Sequence, residues 1–292
     1  MAGQSEIVVR FAGEGGQGVV TAAEMLARAA TGVGYHALTF ATFPSQILGG
    51  PTWTQARVSR TGVFSPGDAV DILVAFNDYA YQEHRPDVRD GGVILLDPGV
   101  TPDPSDTAHR CITVPFDELA KQTGESRAAN MVVMGGLSRR INMPLQFFKD
   151  FISVRFAARP GVVAANHMAL DLGVAHLADE DPVAQLGTPE PPEYPQSFMK
   201  GNEAVALGAL HAGIETYIGY PISPATPILI YMQKNLVGDG KVAIQASSEI
   251  ESITGILGAG FAGKKAMTAT SGPGFTLMAE GIGLGWMAEI PI

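Results

Sequence analysis

The stretch EIVVRFAGEGGQGVVTAAEMLARAAT, residues 6–31, contains the pattern that decides the fold of this chain. A short apolar run over residues 6–12 ends in glycines, and residues 19–31 then repeat apolar side chains at helical spacing. Two further continuous apolar runs, residues 71–76 and 92–97, are typical of strands that are buried on both faces of a parallel sheet. The sequence therefore predicts an α/β fold with a mostly parallel sheet.

A proline-rich stretch, GTPEPPEYP at residues 187–195, interrupts this alternation, because proline removes backbone donors and restricts the residue before it. We predict a first domain over residues 1–186, a linker over residues 187–199 and a second, smaller α/β domain over residues 200–292. The pattern of the second domain stops where a new strand would begin, so we expect that domain to be incomplete in this chain. Helices are predicted over residues 128–140, 145–157, 202–213, 227–235 and 249–263, and strands over residues 216–220, 241–245 and 266–270.

The composition excludes several classes of protein. The formal net charge of −10 argues against nucleic acid or an anionic membrane as the main partner, since both require a basic face. Charged residues make up 16% and hydrophobic residues 46%, which is enough to build a large core. Cys111, the one cysteine, cannot form an internal disulfide or hold an iron–sulfur cluster within this sequence. Without an apolar run of about 20 residues or a signal-peptide pattern, we expect a cytoplasmic protein, and the scattered histidines indicate no metal site.

The glycine-rich loop between the first strand and helix has two interpretations. Gly13, Gly15 and Gly18 match the GxGxxG spacing of dinucleotide-binding loops, but the acidic residue expected about 20 residues later at a strand end is missing. The loop is either a tight turn or an anion site at a helix N-terminus. Its candidate binding residues are Gly15, Gly16, Gln17 and Gly18.

Residues 44–57, PSQILGGPTWTQAR, are too irregular for a helix. They are predicted as a surface loop or, alternatively, as a recognition loop whose Arg57 contacts an anionic group.

Three motifs follow the predicted strands of the second domain. In YPISPAT, residues 220–226, two prolines set a rigid turn at the carboxyl end of a strand, where open parallel sheets bind ligands. Ser223 in this turn is a candidate for binding a substrate carboxylate or carbonyl; the alternative is a purely structural turn. In TSGPG, residues 270–274, glycines permit the close approach of a ring or a phosphate, although they equally suit a tight turn.

The third motif, SSEIE at residues 247–251, begins a helix. Ser248 and Glu251 have the spacing of a capping box, so Glu251 is expected to accept hydrogen bonds from backbone donors. Glu249 is then the acid without a structural role, although acids in a first helical turn are often only favourable to the helix dipole. The residues predicted to face the core are Ile250, Ile253, Leu257 and Phe261.

Together these segments resemble the 2-oxoacid:ferredoxin oxidoreductases. GEGGQG and NMVVMGGL look like parts of their gamma domain, and GNEA, YPISPAT, SSEIES and TATSGPG look like the start of their pyrimidine-binding alpha domain. A gamma domain that precedes the alpha domain is similar to the alpha subunit of two-subunit 2-oxoglutarate:ferredoxin oxidoreductases. The chain departs from the family at Ser223, where threonine is common, and in ending at Ile292.

The resemblance implies a cofactor and a division of roles. Thiamine diphosphate would be bound with Mg²⁺, and Glu249 would hydrogen-bond its aminopyrimidine ring so that the ring can accept the proton of the reactive carbon. The residues implied at the cofactor are Pro221, Glu249, Ser271 and Gly272, and those implied at the substrate are Tyr220, Ile222 and Ser223.

The resemblance also implies partners. A beta subunit would carry the [4Fe-4S] cluster and the diphosphate/Mg²⁺ half of the thiamine site. The assembly would be a dimer of alpha–beta heterodimers, coenzyme A would take the acyl group, and ferredoxin would take the electrons. The implied substrate is 2-oxoglutarate, with pyruvate or a branched-chain 2-oxoacid as alternatives. Two other classes remain open: a non-oxidative thiamine-dependent decarboxylase that uses the same Glu249, and a non-catalytic subunit that binds a dinucleotide.

Overall fold

The computed structural model describes residues 5–42, 50–125, 128–183, 186–189, 193–194 and 196–292. The chain divides into two compact units, Met1–Phe198 and Met199–Ile292, which we call unit 1 and unit 2. In the predicted linker, residues 190–192 and 195 lie outside the described residues, and the others belong to no helix or strand. No helix within the described residues combines the length and apolar character that a membrane crossing needs.

Unit 1 is an α/β unit built on one six-stranded sheet. Its elements are β1 (Glu6–Glu14), α1 (Val19–Gly32), β2 (His36–Thr42), β3 (Pro51–Ser59), β4 (Val70–Ala75), α2 (Asp78–His84), a 3₁₀ turn (Arg85–Asp87), β5 (Val88–Leu96), β6 (Arg110–Thr113), α3 (Phe116–Lys121), α4 (Ala129–Arg140), α5 (Leu145–Arg155) and α6 (Pro160–His176).

The sheet has the order β2-β3-β1-β4-β5-β6. β1 pairs in parallel with β4, which continues in parallel to β5 and β6, whereas β3 is antiparallel to both β1 and β2. Alternate residues of β1 enter two apolar clusters, with Phe11 in one and Val8 in the other. The prediction of a mostly parallel sheet buried on both faces is therefore confirmed.

The prediction of a loop over residues 44–57 is wrong for its second half. Residues 44–49 lie outside the described residues, but Pro51–Ser59 form β3, which is paired on both sides. Thr52, Trp53 and Thr54 favour extended backbone, a signal that the preceding glycines concealed. Arg57 is not free for an external anion, because its guanidinium forms an ion pair of 2.6 Å with Glu6.

Helices α4 and α6 approach each other closely at two glycines. A Cβ atom at Gly135 would overlap the carbonyl oxygen of Leu170, and one at Gly173 would overlap the carbonyl oxygen of Val132. The reciprocal contacts place backbone against backbone, so neither position has space for a side chain. The glycines of NMVVMGGL thus have a packing role in this unit.

Unit 2 contains a smaller sheet. Its elements are α7 (Gly201–His211), β7 (Thr216–Gly219), α8 (Thr226–Asn235), β8 (Val242–Gln245), α9 (Glu249–Phe261), β9 (Ala266–Met267), α10 (Gly272–Leu277) and α11 (Ala279–Met287). The three strands are parallel in the order β8-β7-β9. Their carboxyl ends therefore meet at one edge of the sheet.

Three expectations for unit 2 need correction. The strand predicted over residues 266–270 pairs only at 266–267, because the chain leaves the sheet to begin α10 at Gly272. The glycines of TSGPG therefore lie in the first turn of a helix rather than in a tight turn. On α9, Ile253 and Leu257 are buried as predicted, but Ile250 and Phe261 are 55% and 84% exposed. Unit 2 therefore covers only part of the apolar face of α9 and leaves the side chains of Ile250 and Phe261 exposed.

Candidate functional site

The first two motifs of unit 2 start side by side at the carboxyl edge of the sheet. Gly219, the last residue of β7, lies opposite Gln245, the last residue of β8. The backbone N–H of Ala246 then donates to the carbonyl oxygen of Gly219 over 3.0 Å. The YPISPAT turn and the SSEIE motif therefore leave the sheet from neighbouring positions.

The SSEIE motif contains two glutamates with different surroundings: Glu251 has a structural role at the start of α9, and Glu249 does not. The Ser248 hydroxyl accepts a hydrogen bond of 3.1 Å from the backbone N–H of Glu251, which caps α9. The Glu251 carboxylate accepts hydrogen bonds of 2.6 Å from the hydroxyl and the backbone N–H of Ser247, and these lower the pKa of Glu251. The backbone donor is that of Ser247, one residue earlier than in a standard capping box.

Glu249, the first residue of α9, is only 5% exposed. Within the described part of the chain, its carboxylate forms no hydrogen bond and no ion pair. Buried carboxylates normally have polar partners, because taking a charge out of water is costly. The carboxylate oxygens of Glu249 are not among the fully buried unpartnered atoms, so they keep some access from outside. A largely buried carboxylate of this kind, at the edge where parallel sheets bind ligands, has the character of a ligand-binding group.

The TSGPG motif comes close to Glu249. A Cβ atom at Gly274 would overlap the Thr270 hydroxyl and would lie 2.5 Å from Oε1 of Glu249. Thr270, Ser271 and Gly272 also line a cavity of about 700 Å³ with apolar side chains of α9, α10 and α11. Ser271 and Gly272, expected at the cofactor, thus lie in the segment that approaches Glu249, although Glu249 does not line the cavity.

The YPISPAT turn is fixed from both sides. The side-chain amide of Asn202 donates to the carbonyl oxygen of Pro224 over 2.7 Å, and the Thr226 hydroxyl donates to that of Ile222 over 3.1 Å. Ser223 is exposed and precedes Pro224 through a cis peptide bond. Where the structure is described, nothing hydrogen-bonds its hydroxyl, which leaves this hydroxyl available to a ligand.

The remaining substrate and cofactor candidates in this turn, Tyr220, Pro221 and Ile222, are half-buried. None of them lines the cavity at Thr270, Ser271 and Gly272. The turn and the cavity are therefore separate features of unit 2.

A second cavity, of about 500 Å³, lies in unit 1 at the carboxyl ends of β1, β4 and β5. Gly16, Gln17 and Gly18 of the glycine-rich loop form part of its wall, whereas Gly15 does not. Gly16 and Gly18 have φ of 102° and 79°, a conformation that favours glycine. The side-chain oxygen of Gln17 accepts a hydrogen bond of 2.6 Å from the backbone N–H of Glu14, so Gln17 also holds the turn together.

Sequence reasoning missed several polar residues at these sites. Asp97, Asp117 and Asn130 line the unit 1 cavity, and Asn202 and Thr270 contribute in unit 2. Asp97 could have been found, since it directly follows the buried strand β5. Among the described residues no cluster of three or more His, Cys, Asp or Glu side chains is placed to hold a metal ion.

Comparison with known protein families gives two matches that cover most of the chain. Residues 8–176 match the family model described as pyruvate ferredoxin/flavodoxin oxidoreductase. Residues 207–292 match the model described as the thiamine diphosphate-binding part of pyruvate flavodoxin/ferredoxin oxidoreductase.

Individual proteins show the same similarity. The 2-oxoglutarate oxidoreductase subunit KorA of Mycobacterium tuberculosis is 29% identical over 98% of this chain and 50% of its own length. A solved structure of similar fold is the 2-oxoglutarate:ferredoxin oxidoreductase from Magnetococcus marinus with 2-oxoglutarate, coenzyme A and succinyl-CoA bound. It superposes on this chain with a TM-score of 0.89 at 36% sequence identity, and the match covers 99% of this chain and 51% of that one. The gamma subunit of a keto/oxoacid ferredoxin oxidoreductase from Geobacter sulfurreducens shares the fold alone, with a TM-score of 0.51 at 22% identity over 59% of this chain and 99% of that one. The chain spans about half the length of the curated relatives it matches.

Proposed function

The chain belongs to the pyruvate ferredoxin/flavodoxin oxidoreductase family, and from this premise we propose that it acts in the alpha subunit of a thiamine-dependent 2-oxoacid:ferredoxin oxidoreductase. The proposed reaction is the oxidative decarboxylation of 2-oxoglutarate, with coenzyme A, to an acyl-CoA, CO2 and reduced ferredoxin. The observation that carries the proposal is the unpartnered, buried carboxylate of Glu249 within the segment that matches a thiamine diphosphate-binding model.

The residues around Glu249 fit an aminopyrimidine ring. Glu249 would share a hydrogen bond with a ring nitrogen, which supplies the partner that its carboxylate lacks in the described residues. Gly272, where an added Cβ atom would meet no other atom within 4 Å, leaves space for the flat face of a ring. When bound, thiamine diphosphate supplies a nucleophilic carbon for the 2-oxo group and accepts the electron pair that CO2 leaves behind.

The YPISPAT turn is proposed to bind the substrate. The exposed Ser223 hydroxyl would donate to the carboxylate next to the 2-oxo group, while Tyr220 and Ile222 would flank the substrate and Pro221 the cofactor. Asn202 would keep the turn in place through its hydrogen bond to the carbonyl oxygen of Pro224. A serine serves here as well as a threonine, because only the hydroxyl donates.

Other parts of the reaction are assigned to partners. Cys111, the one cysteine of the sequence, lies half-buried in β6, and burial raises the pKa of its thiol. A single thiol cannot hold an iron–sulfur cluster, so we assign the [4Fe-4S] cluster to a beta subunit, and from the family resemblance we assign the Mg²⁺ and the diphosphate site to that subunit as well. The assembly proposed is a dimer of alpha–beta heterodimers that reduces ferredoxin.

Unit 1 is proposed to act as a gamma domain over residues 1–186, and residues 200–292 as the pyrimidine-binding domain. The unit 1 cavity would receive part of coenzyme A, with Gly16, Gln17 and Gly18 near an anionic group and Gly15 behind them. The α1 N-terminus at this loop offers backbone N–H groups to a phosphate. The carboxylates of Asp97 and Asp117, which line the same cavity, would repel a phosphate. The phosphates of coenzyme A are therefore expected beside Gly16 and Gly18.

The substrate is proposed from similarity to enzymes named for 2-oxoglutarate, one of which was solved with that acid bound. The test is a panel of 2-oxoglutarate, pyruvate and branched-chain 2-oxoacids on the purified complex, with coenzyme A and a low-potential acceptor. We expect coenzyme A-dependent reduction that is fastest with 2-oxoglutarate, and none by this chain alone. CO2 release without electron transfer would instead identify a non-oxidative decarboxylase.

A further inference from the structure

Thr270 carries a hydroxyl that is buried without a hydrogen-bond partner in the described part of the protein. Such a group lowers stability, because it loses its bonds to water and gains none in return. Valine would fill the same volume at this position without that cost. The Thr270 hydroxyl is therefore free to take a hydrogen-bonding partner when a further group is present.

The nearest candidate for that role is the carboxylate of Glu249. The Thr270 hydroxyl and Oε1 of Glu249 lie so close together that a single methyl group at Gly274 would contact both. The absence of a side chain at Gly274 keeps the space between them clear. The two oxygens form no hydrogen bond in the structure, but both side chains can rotate, and each otherwise lacks a partner among the described residues.

We infer that Thr270 is a positioning residue for Glu249. Its hydroxyl donates to one carboxylate oxygen, so that the other is aimed at the ring nitrogen of the bound pyrimidine. A hydrogen bond to an ionised acceptor is among the stronger ones in proteins, and it fixes the orientation of the carboxylate as well as its position. The inference rests on the proposed function and adds to it a residue that touches neither substrate nor cofactor.

The test uses the purified enzyme assembled with its beta subunit and freed of cofactor. Thr270→Val removes the hydroxyl but keeps the shape of the side chain. We expect cofactor-free T270V to unfold at the same temperature as the wild type or slightly higher, yet to bind thiamine diphosphate with Mg²⁺ about tenfold more weakly. Its kcat should fall at saturating cofactor, and Thr270→Ser should restore both values. Titration calorimetry and thermal unfolding with and without cofactor measure these quantities.

Thr54→Val is the matched control. Thr54 lies in β3 of unit 1 and also has a buried hydroxyl without a partner, so its removal should raise the unfolding temperature without changing cofactor affinity. If T270V does not assemble, Thr270→Ala replaces it: it should unfold at a lower temperature because it also loses the buried methyl group, but show the same loss of cofactor affinity and kcat, again restored in T270S.

The outcomes separate the inference from the proposed function. Wild-type affinity and kcat in T270V overturn the inference and leave the proposed function intact. An equal loss in T270V and T270S also overturns it, because the hydroxyl would then be irrelevant. If the wild type itself shows no stabilisation by thiamine diphosphate, the proposed function fails and the inference fails with it.

Discussion

Units 1 and 2 differ in how completely they cover their own apolar surface. In unit 1 every residue of β4 is buried, because helices of the same unit cover the sheet on both faces. In unit 2, by contrast, Val242 and Ile244 of β8 are more than 40% exposed, and Trp286 of α11 is 83% exposed. Exposed apolar patches of this kind are typical of surfaces that contact another protein segment, a ligand or a membrane. Unit 2 therefore leaves more of its apolar surface uncovered by its own residues than unit 1 does.

The two units also treat buried charge differently. In unit 1 the buried Arg10 donates to Gln55 over 2.9 Å, forms an ion pair with Asp87 and lies over the ring of Trp53. In unit 2 the buried Glu249 has no partner within the described residues. Burial alone therefore does not distinguish a structural charge from a candidate binding group; the lack of a partner among the described residues is what distinguishes Glu249 from Arg10.

The largest effect is expected from Glu249→Gln in the assembled enzyme. The amide cannot take part in the proton exchange with the pyrimidine ring, so turnover should fall by about 10²–10⁴-fold. The fold should be unchanged, because no hydrogen bond of the described residues is lost. Acceptor reduction with 2-oxoglutarate and thermal unfolding measure the two effects.

Glu251→Gln is the control for this change. It lies two residues away, is exposed, and serves the start of α9 through Ser247. It should cost at most about 1 kcal/mol of stability and leave turnover near the wild-type rate. Wild-type turnover in E249Q would move the catalytic role to Glu251 or outside this chain.

The next prediction compares alanine substitutions at two glycines, one in each unit, by their effects on stability and turnover. Gly135→Ala in unit 1 places a methyl group against the backbone of Leu170, which cannot move without separating α4 from α6. It should reduce the free energy of unfolding by about 3 kcal/mol. Gly274→Ala in unit 2 meets side-chain atoms of Thr270 and Glu249, which can rotate away, so it should reduce turnover more than stability. Denaturant unfolding and turnover assays on both variants measure the contrast.

Gly161→Ala is the control for both substitutions, because it adds a methyl group where no other atom is close. Gly161 is the second residue of α6 and has open space around it, and alanine there should stabilise the protein by about 0.4–1 kcal/mol, chiefly by restricting the unfolded chain. A stability loss in G274A as large as that in G135A would contradict the distinction between backbone and side-chain contact.

The smallest effect is a pH dependence of unit 1. Burial lowers the pKa of His84 below 6.5, and the Arg10 guanidinium, 3.3 Å from its Nδ1, lowers it further. The unfolded chain therefore binds this proton more readily than the folded one, and folding stability should decline as the pH falls below about 6.5. His84→Gln cannot titrate and should show a smaller decline between about pH 7.5 and pH 5 in denaturant unfolding. An equal decline in both proteins would assign the dependence to other groups.

The fold could be predicted wherever a segment carries a long or continuous pattern. Helix α1 was predicted over residues 19–31 and spans Val19–Gly32. Strand β3 was missed, because its identity as a strand depends on partners from β1 and β2 rather than on its own pattern. The exposure of Phe261 was also not predicted. The sequence shows that α9 has an apolar face, but only the packing of other elements around the helix decides which part of that face is buried.

The parts of the candidate site that depend on residues close together in sequence could be predicted. The cap at Ser248 follows from residue spacing, and so does the conclusion that Glu251 is occupied and Glu249 is not. The proximity of Thr270 to Glu249 follows from the packing of α10 against the start of α9, across 20 residues of intervening chain. No local pattern reports such a distance, which is why Thr270 was absent from the predicted site.

The position of β1 has a consequence for synthesis. Among the described strands of unit 1, β1 comes first in sequence, yet in the sheet it lies between β3 and β4. Its apolar residues therefore leave the ribosome before either neighbour exists, and pairing must await segments far along the sequence, which slows folding. During this interval the apolar residues of β1 are open to wrong association, and we expect a chaperone that holds short apolar strands to protect unit 1 at that stage.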